Sequence, residues 1–120
     1  MFTIRKREMM KIKKARQILK AFSDDTRLRI VNLLNRRSLT VTEICQTLKK
    51  NQSIVSKHLA KLRLTGIVRD IRKGANVHYY LIRGKDKAHD KLVRSIAGSL
   101  LVLKTFKQDL EMMRKVKKKG

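Results

Sequence analysis

Residues 41–66 decide the fold of this chain; they read VTEICQTLKKNQSIVSKHLAKLRLTG. In the second half, Val55, Leu59 and Leu62 recur at i, i+4 and i+7, which places apolar side chains on one face of a helix. Residues 41–48, the first eight of this stretch, carry a shorter apolar face of the same kind. A short polar link between two amphipathic helices predicts a helix-turn-helix at about 41–65.

Polar residues mark the boundaries of these two helices. Thr40 or Thr42 is a candidate N-cap of the first helix, and Asn51 or Ser53 of the second. Their side-chain oxygens accept hydrogen bonds from the unsatisfied N–H groups at a helix start. Gly66 follows the second helix, where glycine accepts the left-handed conformation that ends helices.

The second helix of the pair has a polar outer face, which predicts contact with DNA. Amide, hydroxyl and ammonium groups bond base edges or phosphates, and the N-terminal residues of a recognition helix reach deepest into the major groove. A surface histidine such as His58 also suits local packing, so both interpretations of it stay open. The DNA-contacting residues expected here are Asn51, Gln52, Ser53, Ser56, Lys57, His58 and Lys61.

After Gly66 the apolar pattern changes from a helical period to alternation. This pattern predicts a β-hairpin of about 67–73 and 77–82 around a turn-like Lys-Gly-Ala-Asn sequence. A hairpin directly after a helix-turn-helix is a wing. We expect Arg72 and Lys73, near its tip, to contact the adjacent DNA backbone.

Apolar residues at helical spacing predict three further helices, at about 4–22, 25–36 and 85–114. The last spans about 30 residues, or about 45 Å, which is longer than a small core. An apolar face that extends beyond the core of its own chain is best buried against another subunit. We therefore expect a homodimer to which the first helix contributes. The expected interface residues are Ile12, Ile18, Leu92, Ile96, Leu100, Leu103, Phe106 and Leu110.

Length and charge narrow the class of protein. The chain has 120 residues and a mass of 14.0 kDa, which predicts one domain over 1–120. Its 32 Lys and Arg against 9 Asp and Glu give a net charge of +23, which favours nucleic acid first and an anionic membrane second. No signal peptide or membrane-spanning stretch is visible, so we expect a cytoplasmic protein without membrane contact.

Metal and catalytic sites find little support in the sequence. Cys45, His58, His78 and His89 lie 13, 20 and 11 residues apart, too far for a zinc finger. Cys45 lies on the apolar side of its helix, which favours a structural role over a sensing role. There is no glycine-rich phosphate loop and no Ser/His/Asp constellation. We therefore expect no enzyme, no metal and no cofactor.

Three runs of this sequence resemble the ArsR/SmtB family of repressors: LKAFSDDTRLRIVNLL at 19–34, QSIVSKHLAKLRLTGIV at 52–68 and RKGANVHYYL at 72–81. The resemblance extends over about 15–83. It implies a mainly α winged helix-turn-helix of order α-α-α-α-β-β-α that dimerises through its terminal helices. It also implies a repressor that an inducer releases from operator DNA.

The sequence departs from the family at its sensing positions. Where many members carry a Cys-x-Cys pair on the third helix, this chain has Thr40-Val41-Thr42. Asp86 and His89 share a face of the last helix, but Leu100 and Leu103 occupy the later ligand positions. The inducer therefore stays unidentified.

We expect a homodimeric, sequence-specific transcriptional regulator, a repressor on a pseudo-palindromic operator. One alternative is an architectural protein that binds DNA without regard to sequence, which the high charge favours. Another is a DNA-binding switch controlled by a protein partner on the dimer helices.

Overall fold

A computed structural model describes residues 10–84 and 86–116 of the chain. The structure confirms the mainly helical fold with a small sheet, but not the predicted order α-α-α-α-β-β-α, and the helix-turn-helix and the wing lie where the sequence predicts them. In chain order the elements are α1 (Ile12–Ala21), α2 (Asp25–Leu34), β1 (Leu39–Thr40), α3 (Val41–Leu48), α4 (Gln52–Leu64), β2 (Val68–Lys73), β3 (Asn76–Leu81), α5 (Lys87–Ser99), a 3-10 turn (Leu100–Val102) and α6 (Lys104–Lys115).

Side-chain caps fix where the central helices begin. Asn51 caps α4, because its Oδ1 accepts a hydrogen bond from the backbone N–H of Ile54 at 2.9 Å. Thr40 caps α3 in a reciprocal capping box: its Oγ1 accepts from the backbone N–H of Glu43, whose carboxylate accepts from the N–H of Thr40. Of the open alternatives, the structure selects Thr40 over Thr42 and Asn51 over Ser53.

The wing is an antiparallel hairpin, as predicted. β2 and β3 pair from Val68 opposite Leu81 to Lys73 opposite Asn76. Gly74, with φ +62°, occupies the first position of the two-residue turn, where a left-handed conformation suits the twist of a hairpin.

A third strand joins the hairpin and was not predicted. β1 pairs with β3, so that the sheet order is β1-β3-β2. Two residues are too few to show an alternating pattern. Leu39 and Thr40 form a strand because the fold brings them opposite Tyr79 and His78.

The core lies between α2, α4 and the sheet. Ile30, Leu33, Leu59, Leu62 and Ile67 are at most 1% exposed. Burial of each such side chain contributes about 1.5–3 kcal/mol. The inner face of α4 is therefore held firmly, and its opposite face stays at the surface.

The prediction of one long helix over 85–114 is wrong. α5 ends at Ser99, a 3-10 turn follows, and Leu103 has extended backbone before α6 begins. α6 then packs against α2 and α3 of the same chain. Gly98 weakens the end of α5, since glycine costs about 1 kcal/mol relative to alanine inside a helix. The apolar spacing continues across the break because both helices turn an apolar side to the same core.

Three of the expected dimer residues are buried within their own chain. Phe106 and Leu110 are buried in the core of their own chain, as is Ile18 of α1, so they offer little surface to a second chain. The other expected interface residues keep part of their side chains accessible: Ile12, Leu92, Ile96, Leu100 and Leu103.

The two N-terminal helices are shorter than predicted. α1 begins at Ile12, after the non-helical Met10 and Lys11, and the earlier residues of the predicted 4–22 helix lie outside the described residues. α2 ends at Leu34 rather than at residue 36. No helix in the described ranges has the length and apolar character needed to cross a bilayer.

Candidate nucleic-acid interface

A sharp turn after α3 sets the direction of α4. Lys49, the C-cap of α3, has φ 55° and ψ 48°, the left-handed region that non-glycine residues rarely adopt. The backbone N–H of Lys50 then donates to the carbonyl of Cys45 at 3.2 Å. Because the chain reverses at once, α4 begins within three residues and lies across α3.

The outer face of α4 is open to solvent. Gln52, Ser53, Ser56, Lys57 and Lys61 are all exposed, as predicted for residues that contact a partner. Neither lysine forms an ion pair with any of the described residues. Two cations and three neutral hydrogen-bonding side chains therefore face outward on one helix.

Asn51 is also exposed, but part of its side chain is engaged. Its Oδ1 caps α4 and also accepts a hydrogen bond from the Ser53 hydroxyl at 3.3 Å. The Nδ2 group of Asn51 is the part left to face a ligand. The start of α4 is thereby held in one conformation before any partner binds.

His58 is turned toward α2, which favours local packing, one of the two interpretations left open for it. Its Nδ1 lies 3.1 Å from Nη1 of Arg27 and 3.7 Å from a carboxylate oxygen of Asp24, and its side chain is 17% exposed. Arg27 also donates from Nε to the carbonyl of Ala21 at 2.7 Å. His58 thus connects the recognition helix to α2.

The environment of His58 favours the neutral ring. Burial lowers the pKa of His58 below its ordinary value of 6.5, and the charges of Arg27, Lys61 and Lys57 act in the same direction against Asp24. A neutral Nδ1 accepts the hydrogen bond that the Arg27 guanidinium donates.

The wing presents cations at its tip and is tied to α4 at its base. Arg72 and Lys73 are exposed beside the hairpin turn. Arg63 of α4 forms an ion pair with Asp70 of β2, with Nε and Oδ1 3.1 Å apart. This contact helps to fix the angle between the recognition helix and the wing.

A groove of about 510 Å³ separates α4 from the wing. Ser56, Arg63, Arg69 and Tyr79 line it. The sequence reasoning missed Arg63 and Arg69 as candidate contacts. The signal available in the sequence was Arg69, a charged residue next to the apolar Val68 at the start of the predicted hairpin.

Comparison with known proteins agrees with this geometry. Residues 24–70, from the N-cap of α2 into β2, match the model of the arsR family of bacterial regulatory proteins. An HTH-type transcriptional regulator of Methanocaldococcus jannaschii is 42% identical over 86 residues, which cover 71% of this chain and 97% of that protein. The chain belongs to the ArsR family.

Two further relatives are transcriptional regulators as well. The transcriptional repressor PagR of Bacillus anthracis is 36% identical over 96 residues, which cover 79% of this chain and 96% of PagR. The structure of reduced HlyU from Vibrio cholerae has a TM-score of 0.64 at 31% identity, covering 74% of this chain and 86% of that chain. These relatives confirm the ArsR/SmtB resemblance, and they are transcriptional regulators rather than enzymes.

In this ArsR-family chain, the residues near the family's sensing positions have structural roles. Thr40 caps α3, and Asp86 caps α5 by accepting a hydrogen bond from the backbone N–H of His89 at 2.7 Å. Burial raises the pKa of the Cys45 thiol, which disfavours the reactive thiolate. Within residues 10–84 and 86–116, no group of three or more His, Cys, Asp or Glu side chains is placed to hold a metal ion.

Proposed function

We propose that this chain is a homodimeric, sequence-specific DNA-binding regulator, a repressor that binds a pseudo-palindromic operator. The observation that carries the proposal is the two-sided character of α4. Its inner residues Val55, Leu59 and Leu62 are at most 1% exposed, while its outer polar residues face solvent. A helix anchored in this way presents its N-terminal half to the major groove with little loss of conformational entropy.

The outer residues of α4 divide by chemistry into two roles. The Gln52 amide matches the donor and acceptor pair of adenine, and the Ser56 hydroxyl bonds either kind of base edge. The ammonium groups of Lys57 and Lys61 suit phosphate oxygens, which position the protein without reading sequence. Asn51 and Ser53 lie at the start of the helix, on either side of Gln52.

The wing supplies the remaining contacts in this proposal. Arg72 and Lys73 lie at its tip and bind the DNA backbone beside the groove that α4 enters. The Arg63–Asp70 ion pair joins α4 to β2 at the surface, beside the groove between the helix and the wing.

The proposed homodimer rests on exposed apolar residues that lie outside the outer face of α4. Ile12 is 84% exposed, Val102 75% and Leu103 44%, and Ile96 of α5 is half-buried. Exposed apolar side chains of this kind are typical of an interface. Two-fold symmetry then places two copies of α4 about 34 Å apart, one helical turn of DNA, which requires a pseudo-palindromic site.

Repression is the direction of regulation that we propose. PagR is described as a transcriptional repressor, whereas HlyU of Vibrio cholerae is described as a transcriptional activator. A small chain whose exposed charge faces DNA represses by occupying the site that polymerase needs. A reporter gene behind the chain's own upstream region tests this, since expression falls for a repressor and rises for an activator.

Competition between DNA sequences tests the proposed function as a whole. We expect a fragment of the chain's own upstream region to bind about a thousandfold or more tighter than bulk DNA at fixed salt concentration. A ratio near one overturns sequence-specific regulation. That outcome supports the second candidate, an architectural DNA-binding protein, which the net charge of +23 favours.

A further inference from the structure

A basic cavity of about 270 Å³ lies at the base of the wing, between the end of α2 and the end of β3. The α2–β1 connection contributes Arg36, Arg37 and Ser38, and the other wall contributes Tyr80 and Arg83. Two leucines complete the lining, and no carboxylate takes part in it. The cavity is therefore rich in donors that carry positive charge.

The three arginines of this cavity lack the anionic partners that such residues usually have. Arg36, Arg37 and Arg83 form no ion pair with any residue that the structure describes. Nη2 of Arg37 donates to the carbonyl of Met113 at 3.4 Å, but its buried Nε has no hydrogen-bond partner in the described part of the chain. A buried donor without a partner is costly, so Arg37 is under-satisfied within the chain itself.

A fourth arginine next to the cavity adds to its positive potential. Arg94 donates from Nη2 to the carbonyl of Ile82 at 3.2 Å, which places it behind the end of β3. Burial lowers the pKa of Arg94, and the charge of Arg83 lowers it further, against the opposite effect of Asp90. Asp90 is also engaged, since it accepts a hydrogen bond from the backbone N–H of Gly84 at 2.7 Å.

We infer that this cavity binds a small anion with two or more charged groups, a phosphorylated or polycarboxylate metabolite. Guanidinium groups form planar, two-point contacts with both phosphate and carboxylate oxygens. Three of them around one small volume match an anion of multiple charge better than a monovalent one. The Ser38 hydroxyl and the Tyr80 phenol add neutral donors that fix its orientation.

The position of the cavity connects anion binding to the wing. Tyr80 lies four residues after Asn76 on β3, about 13 Å along the strand from the tip. An anion held by Arg36 and Arg83 links the α2–β1 connection to β3 and so constrains the wing relative to the helices. The effect on DNA rests on the proposed function, whereas binding of the anion does not.

Titration with two probe anions tests the site. Pyrophosphate and citrate are titrated into the full chain by calorimetry, with sodium chloride at matched ionic strength as the reference. Tyrosine fluorescence gives a second measurement. The chain has two tyrosines and no tryptophan, so a Tyr79→Phe variant leaves Tyr80 as the only tyrosine, and its emission is followed during the titration. The probe that binds with higher affinity shows whether the site prefers phosphoryl groups, as in pyrophosphate, or carboxylates, as in citrate.

Matched charge variants separate a site from a general salt effect. Arg36→Gln/Arg83→Gln removes two exposed cations from the cavity, and Arg16→Gln/Lys104→Gln removes two exposed cations elsewhere. We expect saturable binding with one anion per chain, weakened about tenfold or more by the first pair and less than about twofold by the second.

Three outcomes overturn the inference. The first is the absence of saturation by either probe, and the second is equal weakening by the two pairs of substitutions. The third is a loss of DNA binding in Arg36→Gln/Arg83→Gln without saturable anion binding, which assigns these arginines to DNA phosphates. Failure of sequence-specific DNA binding leaves the calorimetric result unchanged, so the two proposals fail separately.

Discussion

Arg29 of α2 and Asp109 of α6 form a two-point ion pair. Nε and Nη2 of Arg29 donate to the two carboxylate oxygens of Asp109, each at 2.8 Å. The Asp109 side chain is 6% exposed and that of Arg29 24%. Hydrogen bonding to Asp109 raises the pKa of Arg29, so the guanidinium stays charged. The pair connects the last helix to the second, within the packing of α6 against α2.

Substitution of Asp109 tests how strongly this pair stabilises the fold. We expect Asp109→Ala to lower the free energy of unfolding by about 1–3 kcal/mol, less than for a fully buried pair because Arg29 keeps some contact with solvent. Urea unfolding measures the change. Arg29→Leu/Asp109→Leu is the control and should recover part of the loss, since no charge is then left unpaired. If the losses of the single variants Arg29→Leu and Asp109→Leu add up to the loss of the double variant, the two residues do not interact directly.

His58 predicts how stability depends on pH. Its pKa is lowered in the folded chain from 6.5, chiefly by burial, so the unfolded state binds its proton more readily. The contribution of the neutral His58 ring to the free energy of unfolding is complete above pH 6.5 and is lost as the pH falls from there through the pKa of the folded state. We expect His58→Gln to flatten the melting temperature over this range.

Titration of the ring by NMR checks the cause of this shift. Arg27→Gln removes a nearby positive charge and should raise the pKa of His58, whereas Asp24→Asn removes a negative charge and should lower it. An unchanged pKa in both variants would show that neither group is coupled to the ring.

Two single substitutions separate base contacts from phosphate contacts. Gln52→Ala should relax the preference for one base pair, at a cost of about 1–3 kcal/mol on the preferred site. Arg72→Ala should weaken binding to all sequences about equally and reduce the slope of log K against log salt by about 1. Binding titrations on matched and scrambled sites measure both. If Gln52→Ala leaves base preference intact, α4 is not the reading helix in the orientation proposed.

A charge on α5 tests the proposed dimer. Ile96→Glu places a carboxylate in the expected interface and should shift the chain toward monomer by about tenfold or more in the dissociation constant. Sedimentation over a range of protein concentrations measures the shift. Leu64→Glu is the matched control, because Leu64 is 87% exposed on α4, outside the expected interface. A dimer that tolerates Ile96→Glu as well as Leu64→Glu does not use α5.

The left-handed residue after α3 predicts a stabilising substitution. Lys49 has φ 55°, a conformation that costs a non-glycine residue about 1–2 kcal/mol. Lys49→Gly relieves this strain but increases the entropy of the unfolded chain, so we expect a net gain of about 0.5–1 kcal/mol. Thermal unfolding checks this value. Lys50→Gly, at a neighbouring residue without positive φ, should destabilise instead.

Much of the structure of α4 and the wing was predictable because the sequence patterns that indicate them are local. The apolar spacing at Val55, Leu59 and Leu62 needs one helix face and one core, and it correctly predicts the buried side of α4. The turn at Gly74 and the alternation through Tyr79 likewise predict the wing from neighbouring residues. His58 was harder, since an outward and an inward ring fit the same helix position until Arg27 is known to lie beside it.

Sequence alone determined the helix-turn-helix, the wing and the charge that favours DNA, because period, capping and composition act over a few residues. Tertiary structure alone decided the short strand at Leu39, the orientation of His58 and the break after Ser99. The apolar stripe from Leu92 to Met113 fits one long helix or two shorter ones equally well. The fold has two because the chain turns back after Ser99, so that α6 packs against α2 and α3 of the same chain. The contact of Asp109 with Arg29, 80 residues away, is one that no local pattern reveals.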